Sequence, residues 1–581
     1  MDFTDERYFQ IEKLAEKISD EDSKRRQHIE INYELPKLSD KNLPTIKEFY
    51  KNQNVFITGG NGFMGKVLIE KLLRSCPDIN KIYLLLRQKK GITPEKRLND
   101  MLESPIFDRL KNENLNSVSK LIIIHGDCEQ TNIGMSNKDI EILKENVNII
   151  FHAAASVRFD DPLKKAVLMN TRSARDLISI AKQMKHLKVF VHLSTAYCNI
   201  DKQIIHEKVY PQQANWKHII HMAETFDDET IKLLTAKILN DFPNTYTFTK
   251  SLAENVINDE CENIPTVIYR PSIVFSSEKE PIPGWLDNLN GPLGFYLAFG
   301  TGLLHVCYAD ENVAPDHVPV DHAIANMIVA SWYQANNTIS NIKRSLVINA
   351  CTSNVALITY RYMKFCSKKL FELYPFYRRI WYPFILLITN KLVFDIAFLF
   401  LQIIPSIFKQ IMVNLSGQKF PVLKMCRKIY IANVALKPFM TNQWSFLNGN
   451  YLSLNKVVKC DDKNDFCVDV RKSDKFSVLA YGLYGLKKYM LKENIDDKNA
   501  LLKAQALYKK FSMAHRMVIL LFWIIFLFVF YKSFLLKNLT YCNLYKQIIY
   551  EKVYPQQANW KHLIQIAETF DDETIKLLTA K

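Results

Sequence analysis

From Asn54 onward, short apolar runs alternate with stretches of helical periodicity: VFIT, GKVLIEKLL, KIYLLLR, KLIIIHGD, VNIIFHAAA and KVFVHLSTAY follow one another. That alternation predicts an α/β fold, a Rossmann-type doubly wound parallel sheet wrapped by helices. It continues to about Ala350, so residues 51–350 are expected to form one domain. Residues 1–50 are polar and charged, with one weak helical stretch near Tyr8–Ile18, and are read as a surface extension. Beyond Ala350 the texture changes. Trp381–Val413 is strongly apolar but broken by Pro383, Asn390, Lys391, Asp395 and Pro405. It suits either a membrane-associated hairpin or a buried helical pair. Residues 414–510 are mixed polar and helical, so 351–510 is expected to be a smaller, mainly helical C-terminal domain.

Met517–Tyr531 reads MVILLFWIIFLFVFY without interruption, and Phe534–Leu536 extends it past Lys532. Fifteen residues fall short of the roughly 20 that a spanning helix needs. Snorkelling of Arg516 and Lys532 closes the gap, and 514–537 is expected to be a membrane segment. Lys509, Lys510, His515 and Arg516 outweigh Lys532 and Lys537, which puts the N-terminal side, with the catalytic part, in the cytosol. The tail then repeats the interior: 541–581 matches 197–237 at 35 of 41 positions. This second copy lacks the strand that precedes the first and has no sheet to pack on. It is read as a duplicated exon or a gene-model join, without function.

Composition adds limits. With 48% hydrophobic and 23% charged residues the chain is globular rather than disordered. A net charge of +16 suits anionic lipid or a phosphorylated ligand. The basic residues are scattered, without aromatics interleaved in a run, so nucleic acid is not expected. Eleven cysteines without CxxC or other metal-ligand spacing point to a reducing compartment and to no metal site. The charged N-terminus carries no apolar core of a secretory signal.

TGGNGFMGK at Thr58–Lys66 follows an apolar strand and opens a helix, the context a dinucleotide loop requires. Glycines at 59, 62 and 65 allow a tight turn, close approach to a pyrophosphate and close helix–strand packing. The helix N-terminus offers amides and a positive dipole. Thr58, Gly59, Asn61, Gly62, Phe63, Met64 and Gly65 are the candidate loop contacts. Where an NAD site places an acidic residue at the end of the second strand, this chain has Arg87, with Lys89 and Lys90 behind it. A guanidinium answers a 2′-phosphate, so NADPH is the expected cofactor. Asp127 is placed to accept from the adenine amino group. Ala153–Ala155, with Ala154 central, are small enough for a dinucleotide to cross the sheet edge.

Tyr246 and Lys250 are four residues apart in YTFTK and would share a helix face. An adjacent ammonium is expected to lower the phenol's pKa and ready it as a proton donor. Tyr33/Lys37, Tyr360/Lys364 and Tyr484/Lys488 have the same spacing. Tyr246 stands out by its place about 50 residues beyond a strand ending in Ser194-Thr195. Thr195, and secondarily Ser194, would hold a substrate carbonyl oxygen beside it. Cys198 is read as a packed residue rather than an acyl carrier.

At this point the chain resembles the extended short-chain dehydrogenase/reductase superfamily, and within it the alcohol-forming fatty acyl-CoA reductases. The resemblance rests on FITGGNGFMGK, IYLLLRQKKG, VNIIFHAAASVRFDD, FVHLSTAYCN, YTFTKSLAE, YRPSIVF, EPIPGWLDNLNGPLG and VPVDHAIANMI. GQKFPVLKMCRKIY, FMTNQWSF and GLKKYMLKE extend it into the C-terminal part, covering about residues 45–495. Asn61 stands where the family usually has Thr. The resemblance implies that Gly59, Gly62 and Gly65 bind the NADPH pyrophosphate and Arg87 its ribose phosphate, with Thr195, Tyr246 and Lys250 catalytic. It implies reduction of a long-chain acyl-CoA to fatty alcohol through an aldehyde, on a membrane of the endoplasmic reticulum or peroxisome. GWLDNLNGPLG and the apolar 380–413 stretch are expected to line the acyl tunnel. The alternatives are an extended short-chain dehydrogenase acting on a sterol or other lipid carbonyl, and a catalytically silent membrane scaffold.

Overall fold

The structure, a computed structural model, describes residues 1, 6–24, 35, 43–337, 345–352, 355–415, 417, 420–467 and 469–553. Met1–Ala506 form one compact unit and the residues from Leu507 another. Most of the repeated tail, from residue 554 on, lies outside the described residues, as does the Tyr33/Lys37 pair.

Seven strands build the central sheet: β1 Asn54–Thr58, β2 Lys81–Leu86, β3 Leu121–His125, β4 Ile149–His152, β5 Val189–Leu193, β6 Thr266–Pro271 and β7 Leu346–Ala350. Their order is β7-β6-β5-β4-β1-β2-β3, and every neighbouring pair is parallel. Both faces of the sheet are covered, which is why the strands are apolar runs rather than alternating ones. Val55 and Ile57 point to one core, with Leu68, Leu72, Ile324 and Ile328. Phe56 points to the other, with Phe190, Leu177, Phe248 and Val256. Order reverses between β1 and β4, and the crevice at such a switch point is where open α/β sheets bind ligands.

Of the helices in the described residues, those that bear on the site and its surroundings are α1 Glu6–Lys24, α2 Phe63–Ser75, α3 Thr245–Glu260, α4 Val320–Asn336, α5 Lys391–Leu415, α6 Val422–Thr441 and α7 Lys498–Val553. α1 is longer than the expected Tyr8–Ile18 stretch. It docks through Tyr8, whose ring lies 4.7 Å from that of Phe476. α5 continues through Pro405 because a π-turn at Leu399–Ile403 absorbs the mismatch just before the proline. The chain after Ala350 returns to the sheet domain by two short parallel pairings. Leu386–Ile388 joins Val306–Tyr308, and Ser445–Phe446 joins Ile204–Ile205. These returns bring α6 against the switch-point crevice and close one wall of it.

α5 and α7 are long and apolar enough to cross a membrane. Within α7, Met517–Tyr531 form a continuous exposed apolar surface.

Candidate active site

The loop between β1 and α2 is built around backbone contacts that leave no room for side chains. Gly59 has φ +76°, and a Cβ there would stand 2.7 Å from the carbonyl carbon of Ala153 and the amide of Ala154. A Cβ on Gly65 would stand 2.3 Å from the Gly59 carbonyl oxygen, so the first turn of α2 presses directly on the loop. Gly62 caps α2 without a side-chain bond, which leaves the helix's first amides unengaged by a cap. Gly59, Asn61, Gly62, Phe63, Met64 and Gly65 line one end of a 730 Å³ cavity.

Thr195, Ser194, Tyr246 and Lys250 line the same cavity. Thr195 follows β5 in extended conformation and accepts from the Tyr197 amide at 3.3 Å. Its side chain hydrogen-bonds the Tyr246 hydroxyl. The start of α3 is set by Asn244, whose side chain accepts from the Thr247 amide. One turn on, Lys250 is buried and donates to the Leu193 carbonyl at 2.6 Å. Burial pushes its pKa down to about 8.

The expectation that Lys250 lowers the pKa of Tyr246 is corrected. Burial raises that pKa, and the hydrogen bond from Thr195 offsets only part of the effect. The ammonium is engaged by a carbonyl of β5, and desolvation of the phenolate dominates. A phenol held this way keeps its proton through the neutral range, which suits a proton donor.

Ser194 has a different partner from Thr195. Its hydroxyl donates to Glu254 at 2.6 Å, and the Cys198 thiol donates to the same carboxylate at 3.2 Å. Arg270 clamps Glu254 through Nε and Nη2 at 2.7 and 2.6 Å, both side chains almost wholly buried. The guanidinium also donates to the carbonyls of His206 and Lys208. This ion pair therefore ties α3, β6 and the segment after the Thr195 loop together. Burial pushes the Cys198 thiol up, in keeping with a packed residue. Glu254 was not singled out in the sequence, although 246, 250 and 254 form an i, i+4, i+8 series on one helix face.

The remaining candidates fall around the loop. Thr58 is fully buried; its hydroxyl bonds His152 Nδ1 at 2.8 Å and accepts from the Ala154 amide, holding β1 to β4. Ala153 and Ala155 line the cavity, while Ala154 turns into the core. Arg87 pairs with Asp127 at 2.8 Å and Glu129 at 3.4 Å, so Asp127 serves the guanidinium. Arg97, a residue sequence reasoning missed, donates to the Arg87 carbonyl at 2.7 Å. Burial and the Arg87 charge lower its pKa, and Lys89 is lowered by burial and by Arg97, Arg87 and Lys90. Such crowding of cations is the setting for a bound anion. Tyr360 and Lys364 line the cavity too, but Tyr360 packs in an apolar cluster with Phe295, Ile385 and Leu387. Lys488 does donate to the Tyr484 hydroxyl, at an exposed position.

Family models described as male sterility protein match residues 57–327 and 401–493. The chain is 37% identical to fatty acyl-CoA reductase 1 of Rattus norvegicus over 451 residues, 78% of this chain and 87% of that protein. The same figures hold for fatty acyl-CoA reductase 1 of Homo sapiens. The chain belongs to the fatty acyl-CoA reductase family. Fatty acyl-CoA reductase wat of Drosophila melanogaster is 33% identical over 476 residues, covering 82% of this chain and 90% of its own. Among solved structures, the terminal R domain from the myxalamid PKS-NRPS biosynthetic pathway matches with a TM-score of 0.50. It is 16% identical, covers 83% of this chain and 99% of its own, and shares the fold.

In this acyl-CoA reductase family member the cavity fits a nicotinamide dinucleotide. The cradle has no space for a Cβ at Gly59 or Gly65, and a helix N-terminus opens at its edge. Gly65→Ala is expected to weaken dinucleotide binding at least about tenfold, since backbone must shift to admit the methyl group; fluorescence titration of the reduced cofactor checks this. Glu254→Gln leaves Arg270 buried without its counter-charge and should cost about 3–5 kcal/mol of stability. Urea unfolding of the full chain in detergent reads that loss.

Proposed function

We propose that the chain is an NADPH-dependent reductase that converts long-chain fatty acyl-CoA to fatty alcohol, releasing CoA through an aldehyde. The observation that carries this reading is one cavity with two chemically different ends. One end holds the glycine loop, Thr195, Tyr246 and Lys250; the other is walled by Phe295, Phe299, Leu387, Leu436, Phe439 and Met440. Phe159 stacks 5.9 Å from Tyr246 and 5.4 Å from Phe439, so apolar surface begins at the reacting phenol. Asp287, Asn288 and Pro292 from the GWLDNLNGPLG stretch also line the cavity, with Ile385 and Leu387 from the apolar stretch that follows Trp381.

Gly59, Gly62 and the amides of Phe63, Met64 and Gly65 would hold the pyrophosphate. Arg87, Lys89 and Arg97 would surround a ribose 2′-phosphate, which favours NADPH over NADH. When bound, the dinucleotide supplies hydride to the thioester carbonyl carbon and, in a second round, to the aldehyde. With substrate bound, the Thr195 hydroxyl would turn its one proton from the Tyr246 oxygen to the carbonyl oxygen, where it and the Tyr246 hydroxyl donate as charge develops. Tyr246 then gives its proton to that oxygen, and the hemithioacetal collapses with expulsion of the CoA thiol. Lys250 orients the ribose and the phenol. Ser194 serves the buried ion pair and holds the loop that carries Thr195.

The same reading takes 51–350 as the cofactor and catalytic domain, 351–510 as the family's C-terminal domain and 514–537 as the membrane segment. The catalytic part faces the cytosol, on endoplasmic reticulum or peroxisomal membrane.

The test is NADPH oxidation with palmitoyl- or stearoyl-CoA in detergent, with product analysis: fatty alcohol supports the reading, and turnover of a sterol ketone alone refutes it. Tyr246→Phe should lower kcat at least about 100-fold while NADPH still binds. Arg87→Ala with Arg97→Ala should raise KM for NADPH about tenfold or more and leave KM for NADH unchanged. Because kcat/KM reports the free enzyme, it should fall as pH rises through about 8, where Lys250 loses its proton. Lys250→Met should lack that inflection.

A further inference from the structure

α5 presents two unlike faces. Phe394, Phe398, Gln402 and Ser406 are buried against the body. Gln402 fixes the helix there, accepting from the His305 amide at 2.9 Å and donating to the Leu303 carbonyl at 2.6 Å. The opposite face carries Leu392, Ile396, Leu399, Ile403, Ile407, Ile411 and Leu415 at intervals of three or four, all exposed. Phe400 (61%), Phe408 (64%), Met412 (71%) and Leu415 (83%) are more than half bare. Neighbouring α6 adds exposed Leu423, Ile431 and Val434. A contiguous surface of this kind marks an interaction site.

Charge identifies the occupant. Residues 391–444, from the start of α5, contain seven Lys or Arg and one acidic residue, Asp395. Lys424, Arg427, Lys428 and Lys437 are exposed on α6, beside the apolar stripe. A second copy of the chain would set these cations against each other across a two-fold interface, with only Asp395, already paired with Lys391, to answer them. An apolar stripe bordered by cations matches a bilayer with anionic headgroups. A spanning role is at odds with the buried face, because Gln402, at the middle of the helix, is bonded to the protein body at His305 and Leu303.

We infer that α5 and the outer face of α6 form a membrane-lying platform, seated at the headgroup–acyl boundary of an anionic bilayer and distinct from the apolar segment of α7. α6 presents Leu436, Phe439 and Met440 to the cavity from its inner side. On the proposed function, an acyl-CoA dissolved in the bilayer therefore reaches the cavity beside this platform without crossing water.

The test uses the full chain reconstituted in vesicles of phosphatidylcholine with roughly 30% phosphatidylserine, a surface anionic enough to hold a basic segment. Cys460, Cys467 and Cys542 are replaced by Ser, and Met412→Cys or Phe408→Cys is labelled with an environment-sensitive fluorophore. Leu233→Cys, exposed on the catalytic unit, is the control. Both platform probes should show blue-shifted emission and be quenched about twofold or more by a nitroxide near the headgroups, and less by one at the acyl chain end. The control should remain water-like. Water-like emission at positions 408 and 412 would overturn the platform. Strongest quenching by the chain-end nitroxide would overturn it in favour of a spanning helix. The readout needs no turnover, so an inactive chain with quenched probes would sink the proposed reaction and leave the platform standing.

Discussion

The buried ammonium of Lys250 donates to the carbonyl of Leu193 at the end of β5, and that contact sets α3 against the sheet edge. With α3 placed there, Tyr246 meets Thr195 one turn earlier, and both open onto the cavity that the Gly59–Gly65 loop bounds. An ammonium in so dry a place loses hydration that one carbonyl only partly replaces, and its pKa falls accordingly. The Glu254–Arg270 pair on the next turn of α3 braces the helix from behind by holding Ser194, Cys198 and the chain at His206–Lys208. The place of Tyr246 beside Thr195 thus depends on two charged contacts that are themselves shut away from water.

Much of the first half was legible because its signals are local. The strands announce themselves as apolar runs, and TGGNGFMGK is bound to its context by sterics: Gly59 and Gly65 touch backbone that no side chain could pass. Tyr246 and Thr195 were legible through spacing to a strand end. The acidity of the phenol was not, because spacing fixes proximity of Lys250 while burial decides which charge state survives. Arg97 stayed hidden because nothing in a helical stretch ten residues past Arg87 announces that its side chain returns to the Arg87 carbonyl.

The second half is harder to read for a related reason. The pairing of Ser445–Phe446 with Ile204–Ile205 involves two residues a side and more than two hundred residues of separation. No periodicity marks it, yet it brings α6 to the crevice. The sequence left Trp381–Val413 open between a membrane hairpin and a buried pair. The structure makes α5 one-sided, buried through Phe394 and Phe398 and bare through Phe400 and Phe408. A one-sided helix satisfies part of each expectation.

In the proposed reaction one cavity performs two successive hydride deliveries to the same carbon. Reaction of stearoyl-CoA with NADPH carrying deuterium at the transferred C4 position, followed by mass analysis of the product, tests it most directly. Two deliveries give fatty alcohol bearing two deuterium atoms on C1; alcohol with one or none would rule them out.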